Sequence, residues 1–388
     1  MNIQPANRIS DVQEYYFSRK LKQIEALRQA GHDVINLGIG NPDLPPAQEV
    51  IDQLSLSASA DDAHGYQSYI GIVELRKAYA DWYQKWYGVA LDPAREILPL
   101  IGSKEGIMHI SMAFVNPGDS VLVPDPGYPT YSSVSKLVGA NIISYKLHEE
   151  LGWQPDFDEL EQLDLASVKI MWINYPNMPT GAKASEAFFK KVVAFGEKHN
   201  ILICNDNPYS FILNKEPQSI FSVAGAKEVA IELNSLSKSH NMAGWRMGMV
   251  AGNPEVIQNI LKVKSNMDSG VFRPLQVAAA KALALGEDWF ESVNQNYRER
   301  RTLVWEIMKA LDCSFDPDQV GMFVWAKIPD HHADSEQLAD AVLEGCDVFI
   351  TPGTIFGSQG SRYVRISLCT SKVLLQKALD RIKQLKNI

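Results

Sequence analysis

Cysteine is scarce in this chain: Cys204, Cys313, Cys346 and Cys369 lie far apart and form no C-x-x-C pair. That argues against a disulfide framework or a zinc spacing, and the expectation is reduced thiols packed as small hydrophobes in a cytosolic protein. Long hydrophobic runs are missing as well. No apolar stretch approaches the roughly 18 residues of a bilayer-crossing helix, and the N-terminal MNIQPANRISDVQEYYFSRKL has no apolar h-region. Membrane spanning and secretion are therefore not expected, and a cytoplasmic location is. Basic charge is in deficit, with 37 Lys and Arg against 46 Asp and Glu and a net charge of −9. This disfavours nucleic acid as the main partner. Internal repeats, low-complexity tracts and long linkers are also absent.

What remains is an ordinary globular composition, 46% hydrophobic and 21% charged over 388 residues. That length predicts one large domain and a smaller one. Short β-rich runs recur at 97–103, 120–125, 140–147, 168–175, 201–206, 230–237 and 247–253, with helical spacing between several of them, as in KEGIMHISMAFV (104–115) and SEAFFKKVVAFGEKH (185–199). Strands alternating with helices predict an α/β architecture, a sheet covered on both faces whose ligand crevice lies beyond the strand carboxyl ends. Past about residue 280 the pattern changes to a long helical stretch (288–311) followed by short strands and two further helices, which predicts a smaller α+β domain.

Several loops that follow strands carry chemistry. IGSKEG (101–106) leaves a strand for a helix, so Gly102, Ser103 and Lys104 offer N–H groups suited to phosphate, although many plain βα turns look the same. NDNPYS (205–210) could aim Asp206 and Tyr209 into one crevice, or be an Asx-type turn before Pro208. PDPGYPTY (124–131) holds Tyr128 between prolines, which turn chemistry alone would also explain. The stretch SLSKSHNMAGWRMG (235–248) places Lys238 among small hydroxyl residues, with Arg246 eight positions on. A partly desolvated lysine near a second cation has a lowered pKa and suits Schiff-base chemistry, while Ser235, Ser237 and Arg246 supply donors for a phosphate dianion. Together these pieces describe a phosphate cup, an aromatic lid, an aspartate and an imine-forming lysine, the needs of pyridoxal phosphate.

With those residues the chain resembles the class I/II aminotransferases, the fold-type-I enzymes that use pyridoxal 5′-phosphate. The likeness runs from NLGIGNPD (36–43) through GYQSYIGIVELR, GSKEG, PDPGYP, NYPNMPTG and the lysine stretch to PGTIFG and RYVRIS (362–367). It implies a large domain (45–280) with a mostly parallel sheet, a small C-terminal domain (281–388) and an N-terminal segment (1–44) packing with the small domain. It also implies that Lys238 carries the cofactor and shuttles the proton, that Asp206 pairs with the pyridine nitrogen, that Tyr209 and Asn177 reach the 3′ oxygen and that Tyr128 stacks on the ring. Gly102, Ser103, Lys104, Ser235, Ser237 and Arg246 would hold the phosphate, helped by Tyr66 from the second subunit of a homodimer. Arg365 and the backbone at Gly40 would take the substrate α-carboxylate.

The implied reaction is ping-pong transfer of an amino group from an L-amino acid to a 2-oxo acid. A C–S β-lyase shares these motifs, and a cofactor-binding regulatory protein is a further reading. GSKEGI and DSGVF (268–272) resemble the branch that contains LL-diaminopimelate and alanine- or aspartate-type enzymes. The chain departs from the family at Met178, where an asparagine usually precedes Pro-Thr-Gly and donates to the 3′ oxygen. Asn177, one residue earlier, would have to replace it. The segment EYYFSRKL (14–21) is expected to help line the substrate pocket. No metal site is expected, His331 and His332 read as a solvated loop, and His240 reads as a packed side chain.

Overall fold

In the computed structural model, backbone is described for residues 3–10 and 16–385, and side chains for 3–9 and 19–385. Most of EYYFSRKL therefore lies outside the described side chains. An eight-stranded sheet forms the large domain. Its order runs from Ile97–Leu100 through Gly248–Gly252, Ala230–Ser235, Leu202–Asp206, Val168–Ile173, Ser120–Asp125 and Asn141–His148 to Gln154–Pro155. The five strands between Ala230–Ser235 and Asn141–His148 pair in parallel. Gly248–Gly252 is antiparallel to both its neighbours, and Gln154–Pro155 closes the other edge antiparallel.

These strands read as continuous apolar runs because both their faces are covered. Within Val168–Ile173, Met171 and Ile173 face one core with Tyr79, Tyr83, Phe188 and Phe189. Ile170 and Trp172 face the other, with Ile107, Ile110 and Tyr131. Alternation within one strand thus serves two hydrophobic layers, the arrangement in which a polar face is not needed. The helix Glu186–His199 that covers one face starts on Ser185, whose side chain accepts from the Phe188 N–H, and stops at Asn200 in the left-handed region (φ 53°).

The C-terminal part has its own core around Trp325, Val342, Ile366 and Leu375. It is built on the sheet Ser314–Phe315, Phe323–Lys327, Tyr363–Ser367 and Thr351–Pro352, with the long helix Glu287–Ala310 and the last helix Lys372–Ile382 against it. The N-terminal segment joins this part: Ile35–Asn36 pairs in parallel with Val348–Phe349, and Lys20 Nζ lies 2.7 Å from Asp340 Oδ1. Arg300 clamps Asp43 with both terminal nitrogens, at 2.6 and 2.9 Å.

Two expectations change in detail. The run 230–237 is strand only to Ser235, because Leu236–Ser239 turns into a short helix capped by the Ser235 side chain. His332 is buried, 7% exposed, whereas its neighbour His331 is exposed as a solvated loop would require.

Candidate active site

Parallel strands ending side by side create the cavity, about 580 Å³ in volume, beyond the carboxyl edge of the sheet. Asp206 ends one strand and Ser235 the next, and Lys238 follows in the short helix that Ser235 caps. Ser103 begins a 12-residue helix on the other side, and Arg365 arrives from the small domain. Lys238, Asp206, Arg246 and Arg365, distant in sequence, all line this one space.

Asp206 forms the floor. It is 4% exposed, and its Oδ2 accepts from the Tyr131 hydroxyl at 3.0 Å, while its backbone oxygen accepts from Asn174 Nδ2 at 2.5 Å. Its Oδ1 has no hydrogen-bond partner among the described residues. Burial pushes the carboxyl up to about 7, with the Tyr131 and Ser103 hydroxyls pulling the other way. A carboxylate in that position favours a cationic ligand on its open oxygen.

Lys238 Nζ donates to the Gly40 carbonyl at 2.5 Å. Burial lowers its pKa, and the nearby guanidinium groups of Arg365 and Arg246 lower it further, against an opposing effect of the Cys369 thiol. That is the environment of an amine nucleophile rather than a solvated charge.

A cluster of donors defines one end of the cavity. Ser235 Oγ lies 2.9 Å from Ser237 Oγ, which accepts from Arg246 Nη1 at 3.3 Å, and Arg246 Nη2 donates to the Ile101 carbonyl at 3.2 Å. Gly102 precedes the helix with φ +80°, and a Cβ there would come within 2.2 Å of Arg246 Nη2. Backbone N–H groups, hydroxyls and a guanidinium thus meet at a helix N-terminus, a combination suited to a phosphate.

Arg365, 4% exposed, is held between two rings, its Cζ 4.0 Å from the Phe323 centroid and 4.7 Å from that of Phe356. Nη2 donates to the Gly38 carbonyl at 2.8 Å and Nη1 lies 3.3 Å from Met178 Sδ. Phe323 also packs on Gly40 so closely that a Cβ there would lie 2.4 Å from its ring.

Most of the residues expected from sequence meet here: Gly40, Ser103, Lys104, Tyr128, Asp206, Tyr209, Ser235, Ser237, Lys238, Arg246 and Arg365 all line the cavity. Two do not. Asn177 is turned into its own loop, its Oδ1 accepting from the Thr180 N–H and hydroxyl and its Nδ2 donating to the Asn174 carbonyl. Met178 and Asn174 line the cavity in its place. Tyr66 is 92% exposed and outside this chain's cavity.

The segment bearing Tyr66 is held by Lys264, whose Nζ donates to the Tyr69 carbonyl at 3.1 Å and lies 2.8 Å from Asp268 Oδ2. Glu105, His109 and Asp268 have ligand atoms within metal-sharing distance, but the Lys264 ammonium already supplies a cation there. His240 is buried against Phe290, and burial depresses its pKa to about 3.

Leu21, the last residue of the segment 14–21 expected at the substrate pocket, does line the cavity. Sequence reasoning did not single out Asn174, Tyr131, Ile39, Phe356 or Phe323. The first four stand inside quoted motifs, and their positions were the available signal. Phe323 comes from an element that only the tertiary fold brings close.

The fold and this cavity are those of a fold-type-I, pyridoxal-phosphate-dependent enzyme. Residues 32–382 match the family described as aminotransferase class I and II, and the chain belongs to that family. It is 41% identical to an LL-diaminopimelate aminotransferase of Moorella thermoacetica over 384 residues, 98% of each chain. It is 42% identical to another of that name from Desulforudis audaxviator over 385 residues, 99% of this chain and 98% of that one. Among solved structures, apo-BacF of Bacillus subtilis superposes with a TM-score of 0.94 at 36% identity, covering 99% of this chain and 98% of that one. An aspartate aminotransferase mutant of Thermus thermophilus gives 0.91 at 26% identity, covering 99% of this chain and all of that one. The chain is a pyridoxal-phosphate-dependent aminotransferase, and these relatives do not favour the C–S lyase reading. Its residues fit that cofactor: Asp206 Oδ1 is open, the glycine cradle would be closed by a Cβ, and a desolvated lysine stands between them.

Proposed function

We propose that this cavity transfers an amino group from an L-amino acid to a 2-oxo acid with Lys238 as its covalent and proton-carrying group. When bound, pyridoxal phosphate supplies an aldehyde for covalent attachment and a cationic ring that takes up the electron pair left at the donor Cα. Lys238 Nζ would hold that aldehyde covalently and, with the donor in place, would carry the proton at the donor Cα. Its burial and the two nearby guanidinium groups favour the neutral, proton-accepting form of the amine.

Asp206 would keep a proton on the pyridine nitrogen, Tyr209 would donate to the 3′ oxygen and Tyr128 would stack on the ring. Gly102, Ser103, Lys104, Ser235, Ser237 and Arg246 would hold the phosphate. Arg365, kept planar between Phe323 and Phe356, takes the α-carboxylate with the Gly40 backbone. That anchor and the phosphate cup fix the donor at two ends, so the Cα–H bond can be held across the ring plane.

A homodimer in the cytoplasm, with Tyr66 crossing to the second site, belongs to the same reading. So does the division into an N-terminal segment (1–44), a large domain (45–280) and a small domain (281–388), the last closing over the donor.

The observation that carries the proposal is the convergence of Lys238, Asp206, Arg246 and Arg365 on one cavity. The test is a panel of amino acids mixed singly with the yellow holoenzyme and followed by absorbance. Conversion to the pyridoxamine spectrum without added oxo acid is expected, and Lys238→Ala abolishes it while the fold persists. Release of pyruvate and thiol from cystathionine would favour the lyase instead.

A further inference from the structure

The residues named so far account for the α-carboxylate, the amino group and the cofactor, but not for the donor's side chain. The charged side chains lining the cavity among the described residues are Lys104, Lys238, Arg246, Arg365 and Asp206. Each already has a position in the reading above. Arg246 lies at the phosphate end, bonded to Ser237 and to the Ile101 carbonyl beside the helix whose first turn holds Lys104. Arg365 donates to the Gly38 carbonyl and Lys238 to that of Gly40. Asp206 is on the floor.

Among the described residues, the surfaces left for the side chain are apolar. Leu21 and Ile39, 40% and 42% exposed, stand at the cavity lip, and Met178, Phe323 and Phe356 lie deeper around Arg365. Ile39 sits between the glycine whose carbonyl holds Arg365 and the one whose carbonyl holds Lys238. One of the two residues flanking Gly40, and the one that lines the cavity, is therefore a branched hydrocarbon.

We propose that the donor carries an uncharged, apolar side chain, as leucine, methionine and phenylalanine do, and that the second ionised head of diaminopimelate is disfavoured. This rests on the reaction proposed above. A distal ammonium and carboxylate brought against Leu21, Ile39 and Met178 would lose water without gaining partners there, a cost of several kcal/mol per unpaired ion. An apolar side chain would instead gain by leaving water, at about 25 cal/mol per Å² buried.

The experiment compares single half-reactions of the holoenzyme with leucine, methionine and phenylalanine against LL-diaminopimelate, lysine and aspartate. The three apolar donors are expected to convert with kcat/KM about tenfold or more above every charged donor. A charged donor that outruns all three apolar ones, or merely equals them, overturns the inference while leaving Lys238 chemistry intact. Failure of every donor to convert overturns the proposed reaction itself, and this inference with it.

Two further measurements separate binding from turnover. Equilibrium binding of 3-phenylpropanoate and pimelate to the holoenzyme, read by calorimetry, is expected to favour the phenyl acid, and tighter pimelate binding counts against the inference. Ile39→Arg, at an exposed lip position, supplies a partner for a distal carboxylate and should narrow the gap between aspartate and leucine. An unchanged ratio removes Ile39 from the side-chain wall.

Discussion

Asp206 shows how one buried oxygen controls both binding and stability. Its carboxyl has an ordinary value of 3.8 and is pushed up to about 7 by burial. The cofactor-free fold thus binds a proton that the unfolded chain has released between those values. The resulting stability is complete below the lower value and is lost as pH rises through the upper one. The predicted outcome is a melting temperature of cofactor-free protein that falls, relative to Asp206→Asn, from about pH 4 to pH 7 and levels off above that. Thermal melts of both proteins across that range check it, and a constant difference contradicts it.

Met178 is the second residue whose chemistry can be isolated. Its thioether accepts from Arg365 but donates nothing. Met178→Asn would place an amide donor near the cofactor's 3′ oxygen and stabilise its anionic form, so the pH midpoint of the cofactor's absorption change should fall. An unchanged midpoint in a spectral titration would count against that placement.

The phosphate cup belongs to the scale of elements, since it is made where a strand, a glycine in the left-handed region and a helix start meet. Gly102→Ala forces a β-carbon towards Arg246 at φ +80°, a strain of about 1–2 kcal/mol. Cofactor affinity should drop by roughly tenfold, as measured by equilibrium titration, and retained affinity would show that Arg246 moves aside freely.

At this same scale the sequence was most legible. Buried parallel strands need apolar residues on both faces, so Ser120–Asp125, Val168–Ile173 and Leu202–Asp206 appear as continuous runs with turn signals at their ends. Ile35–Asn36, Gln154–Pro155 and Ser314–Phe315 are only two residues long, too short for any periodicity to register. Lys238 was readable because its hydroxyl-rich surroundings are unusual for a surface lysine. The exchange of Asn177 for Asn174 was not, since it depends on which amide closes the 174–181 turn. Phe323 could not be placed because nothing local marks a cavity wall.

On the scale of the whole molecule, two cores with separate hydrophobic centres share one cavity, and the Arg300–Asp43 clamp fastens the N-terminal segment to the smaller part. Tyr66 is 92% exposed, near Tyr69, Met267 and Phe272, which are 45%, 62% and 42% exposed. The two segments meet at Gly270, where a Cβ would lie 2.4 Å from the Gln67 carbonyl. In the proposed homodimer this apolar surface is covered and Tyr66 reaches the opposite phosphate. Sedimentation should therefore find a dimer, and a Met267→Glu, Phe272→Glu double variant should shift it towards monomer with loss of activity. A wild-type monomer of full activity contradicts the shared site.

The central claim concerns one bond, between the Lys238 amine and the cofactor aldehyde. Borohydride reduction of the holoenzyme, followed by proteolysis and mass mapping, tests it most directly. The account predicts a stable phosphopyridoxyl group on the peptide containing Lys238 and none in Lys238→Ala. A label on another lysine, or no label at all, would contradict it.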